Sequence, residues 1–140
     1  MEMNKSLRAF FEAYAEANNK HNLEPLAAMY ADSFIAAGPG GNAVFKNDAQ
    51  FIKWLQELLQ WNLQMGMQQI RIVRFAEAPV SDQYRQAIVT WGAKFEKTCN
   101  EEILFDITYY VYLQQDAPRI IMYIAHTDQD ALMREKGLLP

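Results

Sequence analysis

The chain has little with which to hold a metal, a disulfide or a nucleic acid. In 140 residues there is one cysteine, Cys99, and there are two histidines, His21 and His126. A lone cysteine closes no internal disulfide, so a reducing cytoplasm is the expected compartment. A dedicated zinc or iron site draws on several thiolates and imidazoles, so neither metal nor any other cofactor is expected. Basic residues are few and unclustered: 13 Lys and Arg against 17 Asp and Glu leave a net charge of −4. Nucleic acid selects basic surfaces and is therefore not an expected partner. Nor is a membrane, because no apolar run approaches the ~18 residues that cross a bilayer. The start, Met1-Glu-Met-Asn-Lys-Ser6, lacks the apolar core of a secretion signal.

What is present is apolar and aromatic. Half the residues are apolar and 13% are aromatic, which excludes disorder. The length fits a single domain, 1–140, able to bury most of its apolar surface. The aromatic load exceeds what a small core needs, which favours an aromatic-lined cavity or a buried partner interface.

Three helical patterns come first. Leu7, Phe10, Phe11, Tyr14 and Ala17 recur at helical spacing, with Lys5, Arg8, Glu12 and Glu16 opposite and Asn4 as N-cap. Asn22 opens a short second helix whose inner face is Leu26, Met29 and Tyr30. Between Phe34 and Phe45, Gly38-Pro-Gly-Gly41 turns between two short extended pieces. It lacks the Gly-Lys-Ser/Thr of a phosphate loop. Asn47 or Asp48 starts the third helix, and Asn47 with Gln50 fits a capping box. Phe51, Trp54, Leu55 and Leu58 form its buried stripe, and Gly66 ends it.

Four strand patterns follow, at about 67–78, 83–97, 103–114 and 119–127, rich in Val, Ile, Tyr, Phe and Thr. Helices first and a meander after give α+β: helices packed on a strongly curved antiparallel sheet, a cone with an interior pocket. Folding the last hairpin about Asp116 sets Leu113 opposite Ile120, Tyr109 opposite Ile124 and Ile107 opposite His126. Asp106, Thr108, Tyr110 and Tyr112 then share the other face with Tyr123, Ala125 and Thr127. Neither face alternates cleanly between apolar and polar, so one should cover the helices and the other meet a second subunit.

The order of elements resembles the nuclear transport factor 2-like superfamily. The tail Asp128-x-x-x-Leu132-x-Arg134-x-x-Gly137-Leu-Leu-Pro140 is similar to the ending of SnoaL-like polyketide cyclases. Leu23-x-x-Leu26-x-x-Met29-Tyr30-Ala-Asp-Ser-Phe34 resembles the family's second helix and following strand. Ketosteroid isomerases, which are relatives, use an oxyanion-stabilising tyrosine on the first helix, a base aspartate in the first hairpin and an aspartate on the third long strand. The resemblance puts Tyr14 at the first of these positions, Gly38 at the second and Tyr110 at the third. Tyr123 stands where SnoaL-type cyclases carry an acid. The familiar acids are thus replaced, and the resemblance makes the Tyr110, Tyr123 and Asp106 face the pocket wall.

Asp106 is the sharpest candidate for chemistry. It sits between Phe105 and Ile107 in mid-strand, where aspartate is disfavoured. Buried alone it would serve as a general base or acid. The other reading is an ion pair, since folding about Asn100 sets Lys94 opposite it. Tyr14 would donate to a developing oxyanion, or simply pack. Trp54, Tyr110, Tyr123, Phe34 and Trp91 are candidate ligand contacts, because rings offer large contact area. His126 is a further candidate ligand contact, because histidine as a residue type can exchange a proton near neutral pH, but it is expected on the face away from Asp106. Thr127 or Asp128 is expected to cap a terminal helix rather than bind a cation through His126-x-Asp128-x-Asp130. Two functions fit. One is binding of a small apolar or aromatic molecule, with acid–base chemistry by Asp106 and Tyr14. The other is a non-catalytic dimerisation or adaptor domain with a filled pocket. A homodimer through the sheet is expected in either case.

Overall fold

The computed structural model describes residues 6–96, 101–114 and 117–135. The first helix, α1 (Arg8–Asn19), opens at Leu7 without a side-chain cap, and the expected cap Asn4 lies outside the described residues. The helix start is instead tied to the sheet. The Glu77 carboxylate accepts the Leu7 N–H at 3.2 Å and the Ser6 hydroxyl at 2.7 Å. Asn22 precedes α2 (Leu23–Ala28), although its side chain makes no cap bond. Asp48 caps α3 (Ala49–Gln64), accepting the N–H groups of Gln50 and Phe51 at 3.1 Å. The expected Asn47–Gln50 box does not form. Asn47 donates to the carbonyls of Ala27 and Tyr30, at 2.8 and 3.0 Å, and so pins α2 to the start of α3. Gly66 follows α3 with φ +83°, a left-handed residue that glycine adopts without strain. Asp128 accepts the Ala131 N–H at 3.2 Å at the start of α4 (Gln129–Glu135). No helix among the described residues is long and apolar enough to cross a membrane.

Six strands form one sheet: β1 (Tyr30–Gly38), β2 (Gly41–Lys46), β3 (Met67–Pro79), β4 (Tyr84–Phe95), β5 (Glu102–Gln114) and β6 (Ala117–Ala125). Their order is β2-β1-β6-β5-β4-β3. All neighbours are antiparallel except β1 and β6, whose parallel pairing makes the sheet mixed. Helices α1 and α3 cover the inner face. Phe11, Trp91, Phe95, Tyr109 and Val111 lie there, each at most 2% exposed. Each fully buried side chain of this size contributes about 1.5–3 kcal/mol relative to exposure.

Two registers differ from expectation. The last hairpin pairs Gln114 with Ala117 and Val111 with Ile120, tighter than the expected Leu113–Ile120 pairing. Between Val111 and Tyr110 the register then shifts, leaving Ile121 as an extra residue in β6. Beyond that bulge Tyr109 faces Tyr123 and Ile107 faces Ala125. Tyr123 therefore joins Tyr109 on the inner face, while Tyr110 and Asp106 point outward. In the preceding hairpin, Lys94 faces Glu102 and Thr90 faces Asp106. The alternative reading of Asp106, an ion pair with Lys94, is therefore not met.

Candidate functional site

Enclosed by α1, α3 and the inner face of β4–β6 is a cavity of about 390 Å³. Tyr14 and Asn18 come from α1, Phe51, Trp54, Leu58 and Trp61 from α3, and Tyr30 from the start of β1. Trp91, Phe105, Ile107, Tyr109 and Tyr123 form the sheet wall, and Leu132 of α4 reaches the rim. None of the lining residues is Asp, Glu, His, Lys, Arg or Cys. Nothing in this wall titrates near neutral pH.

Its polar equipment is mostly phenolic. The Tyr14 and Tyr30 hydroxyls are 2.6 Å apart and share one hydrogen bond. Across the floor the Trp91 indole N–H donates to the Tyr109 hydroxyl at 3.0 Å. Burial pushes Tyr14 up to about 12, against the hydrogen bond from Tyr30, and nearby Tyr123 adds to the rise. Burial, then the neighbouring Tyr14 and Tyr109, hold Tyr30 well above its ordinary value. Tyr109 is raised in the same way by burial and by Tyr14, although Trp91 pulls it down. Tyr123 is raised by burial. All four remain neutral donors across the physiological range.

A count of protons shows what these groups can do. Two hydroxyls sharing one hydrogen bond retain a second proton, and Tyr109 accepts from Trp91 without spending its own. Among the described residues no acceptor takes either proton, and no buried side-chain nitrogen or oxygen is without a partner. The cavity can therefore donate hydrogen bonds to an oxygen inside it. It offers no base near neutral pH.

Of the residues singled out from sequence, Tyr14, Trp54, Trp91 and Tyr123 line this cavity. Phe34 is buried against Tyr30 and Phe51 and lines a neighbouring cavity. Asp106 and Tyr110 do not line the cavity, because alternation along β5 puts them on the face opposite Phe105, Ile107 and Tyr109; the bulge in β6 brings only Tyr123 inward. There Asp106 accepts a hydrogen bond from Thr90, and Tyr110 accepts one from Gln86 at 3.0 Å. His126 is exposed and its Nε2 lies 2.7 Å from the Thr108 hydroxyl. That hydroxyl belongs to the Asp106 face, so the expected separation of His126 from Asp106 is also corrected. The pairing of Asp106 with Tyr14 has no geometric basis, since the sheet lies between them. No group of three potential metal ligands occurs among the described residues.

Sequence reasoning missed Tyr30 and Tyr109 as site residues. In the run Tyr30-Ala-Asp-Ser-Phe34 the two aromatics favour a strand but Ala31 and Asp32 do not, so its composition does not separate a strand from a helix end. Tyr109 carried no signal beyond its parity.

No protein-family profile matches the sequence, and no curated protein matches it either. Solved structures do. A nuclear transport factor 2-like protein of unknown function from Shewanella oneidensis superposes with a TM-score of 0.69 at 14% identity, covering 85% of this chain and 94% of that one. An uncharacterised protein with a cystatin-like fold from Caulobacter vibrioides gives 0.66 at 14% identity, covering 99% of both chains. A candidate dehydratase of the nuclear transport factor 2-like family from Streptomyces avermitilis gives 0.60 at 12% identity, over 83% of this chain and 88% of that one. The chain has the nuclear transport factor 2-like fold.

Proposed function

We propose that this protein binds a small apolar or aromatic molecule that is uncharged where it enters the cavity and carries an acceptor oxygen there. The supporting observation is the cavity itself: about 390 Å³, walled by aromatic and aliphatic side chains and free of charged residues. An ion moved into such a space without a counter-charge loses its hydration and gains little. An apolar molecule gains about 25 cal/mol for each Å² it buries. The unspent protons of Tyr14–Tyr30 and Tyr109 favour a ligand whose oxygen accepts them, because a carbonyl buried without a donor would be penalised. Tyr14 then acts as a donor to that oxygen and polarises it, while Asp106 takes no part inside the cavity. An interior this open also argues against the alternative of a pocket filled by its own aromatics. Association into a homodimer through the outer sheet face is part of the same proposal.

The test uses N-phenyl-1-naphthylamine, a neutral probe that fluoresces in apolar surroundings. Saturable binding to the wild type is expected, along with a rise in unfolding midpoint that grows with probe concentration. Ala93, 2% exposed, lies on the cavity wall. Ala93→Phe should obstruct the space and weaken binding by at least about tenfold while unfolding remains cooperative. A wild type that shows no saturable fluorescence overturns the proposal, as does full binding by the obstructed variant.

A further inference from the structure

A second cavity of about 420 Å³ lies between the β1–β2 hairpin and the first turns of α3. Phe51, Trp54 and Tyr123 line both it and the first cavity, so the two chambers share one wall. The members of that wall are held very differently. Phe51 is 6% exposed, with its ring 4.9 Å from Phe34 and 5.3 Å from Tyr30 and its N–H fixed by Asp48. Trp54 is 48% exposed, and Phe51, 6.1 Å away and nearly parallel, is its ring neighbour. An exposed side chain with one stacking contact changes rotamer quickly. Phe51 is a fixed post, and Trp54 is the panel that can swing.

The chambers also differ in polarity. The inner one holds no charge, whereas Lys46 and Asp48 line the outer one. The Asp48 carboxylate is engaged by two backbone N–H groups of α3. Among the described residues, the Lys46 ammonium has no ion-pair partner. Val44 and Phe45, 72% and 44% exposed, extend the apolar lining to the surface.

We infer that Trp54 is a movable partition and that the ligand is a linear amphiphile spanning both chambers, its uncharged apolar body with the acceptor oxygen inside and a carboxylate or similar anionic head beside Lys46. This rests on the inner cavity being a binding site and adds the shape and head group of its occupant. The ligand remains uncharged where it enters the aromatic chamber, and its charge stays at the wet end.

The probes are straight-chain carboxylic acids of increasing length, below their aggregation concentrations, competing with N-phenyl-1-naphthylamine. Affinity should rise about fourfold per added methylene until both chambers are filled. Ala36 lines the outer chamber, and Ala36→Phe should stop that rise at a shorter chain while the neutral probe still binds. Lys46→Gln, at an exposed position, should weaken long acids by about two- to fivefold and leave the matching alcohols unchanged. Trp54→Ala should speed association of the long acids. Wild-type behaviour of Ala36→Phe and Lys46→Gln toward the whole series would overturn the inference while leaving the inner site intact. Failure of the neutral probe to bind the wild type would overturn both.

Discussion

The hydroxyls of Tyr14 and Tyr30 lie 2.6 Å apart, with two protons between them and one hydrogen bond to use them. Removing either hydroxyl leaves the other buried without its partner. Tyr14→Phe or Tyr30→Phe should each cost about 1–2 kcal/mol of unfolding free energy. The double variant removes donor and acceptor together, so its cost should fall short of the sum, with a coupling of about 1 kcal/mol. Urea denaturation of the four proteins measures it. Strict additivity would show that the pair does not interact.

Alkaline titration tests the same burial from another side. Tyr14, Tyr30, Tyr109 and Tyr123 are all raised above the ordinary 10.0, with Tyr14 at about 12. At pH values between the unfolded and folded pKa the native chain binds more protons than the unfolded one, so stability falls as pH rises. Below pH 10 these groups should leave stability flat. Above it stability should drop, with Tyr14 alone accounting for about 3 kcal/mol once pH has passed 12. Absorbance of phenolate should show late titration of these four, together with loss of ellipticity. Seven tyrosines ionising as one population near pH 10 would contradict the assignment.

Periodicity is enough for α1, because a helix stripe is a local property, but not for the inner position of Trp91, since the parity that puts Asp106 on the wall puts Trp91 on the opposite face. Pairing between strands was not legible in the same way. The connection between β4 and β5 carries no strong turn pair, so nothing local placed Lys94 opposite Glu102 rather than Asp106. In β6 the extra residue Ile121 reverses parity midway, so Tyr123 was assigned to the wall but Tyr110 was wrongly assigned with it. A bulge is invisible to a period-two pattern unless glycine marks it. The cavity's chemistry depends on this point, because one residue of shift exchanges Asp106 and Tyr110 for Ile107 and Tyr109. The fold is legible all the same, because element order and composition do not depend on register.

Asp106→Asn gives that exchange an experimental form. Asp106 lies on the outer face and accepts a hydrogen bond from Thr90. Asparagine keeps one acceptor oxygen and the side chain's shape. Affinity for a cavity ligand should therefore stay within about twofold of wild type, while unfolding free energy falls by about 1 kcal/mol as a charge-assisted bond becomes a neutral one. Loss of cavity binding at unchanged stability would place Asp106 back in the site.

The outer face itself should be an interface between two copies. It presents Ile88 and Leu104, 36% and 47% exposed, beside Thr90, Asp106 and Thr108. It is a mixed apolar and hydrogen-bonding surface of the sort that pairs isologously. Sedimentation at micromolar concentration should give about twice the chain mass. In a two-fold dimer Leu104→Lys places two new charges in one buried surface, and each desolvated charge is costly. The dissociation constant should rise by at least about tenfold, a change of about 1.4 kcal/mol. Binding of the neutral probe should persist in the resulting monomer, because the cavity lies on the other side of the sheet. A wild type that sediments as a monomer with its outer face in water would remove the dimer from the proposal and leave the cavity untouched.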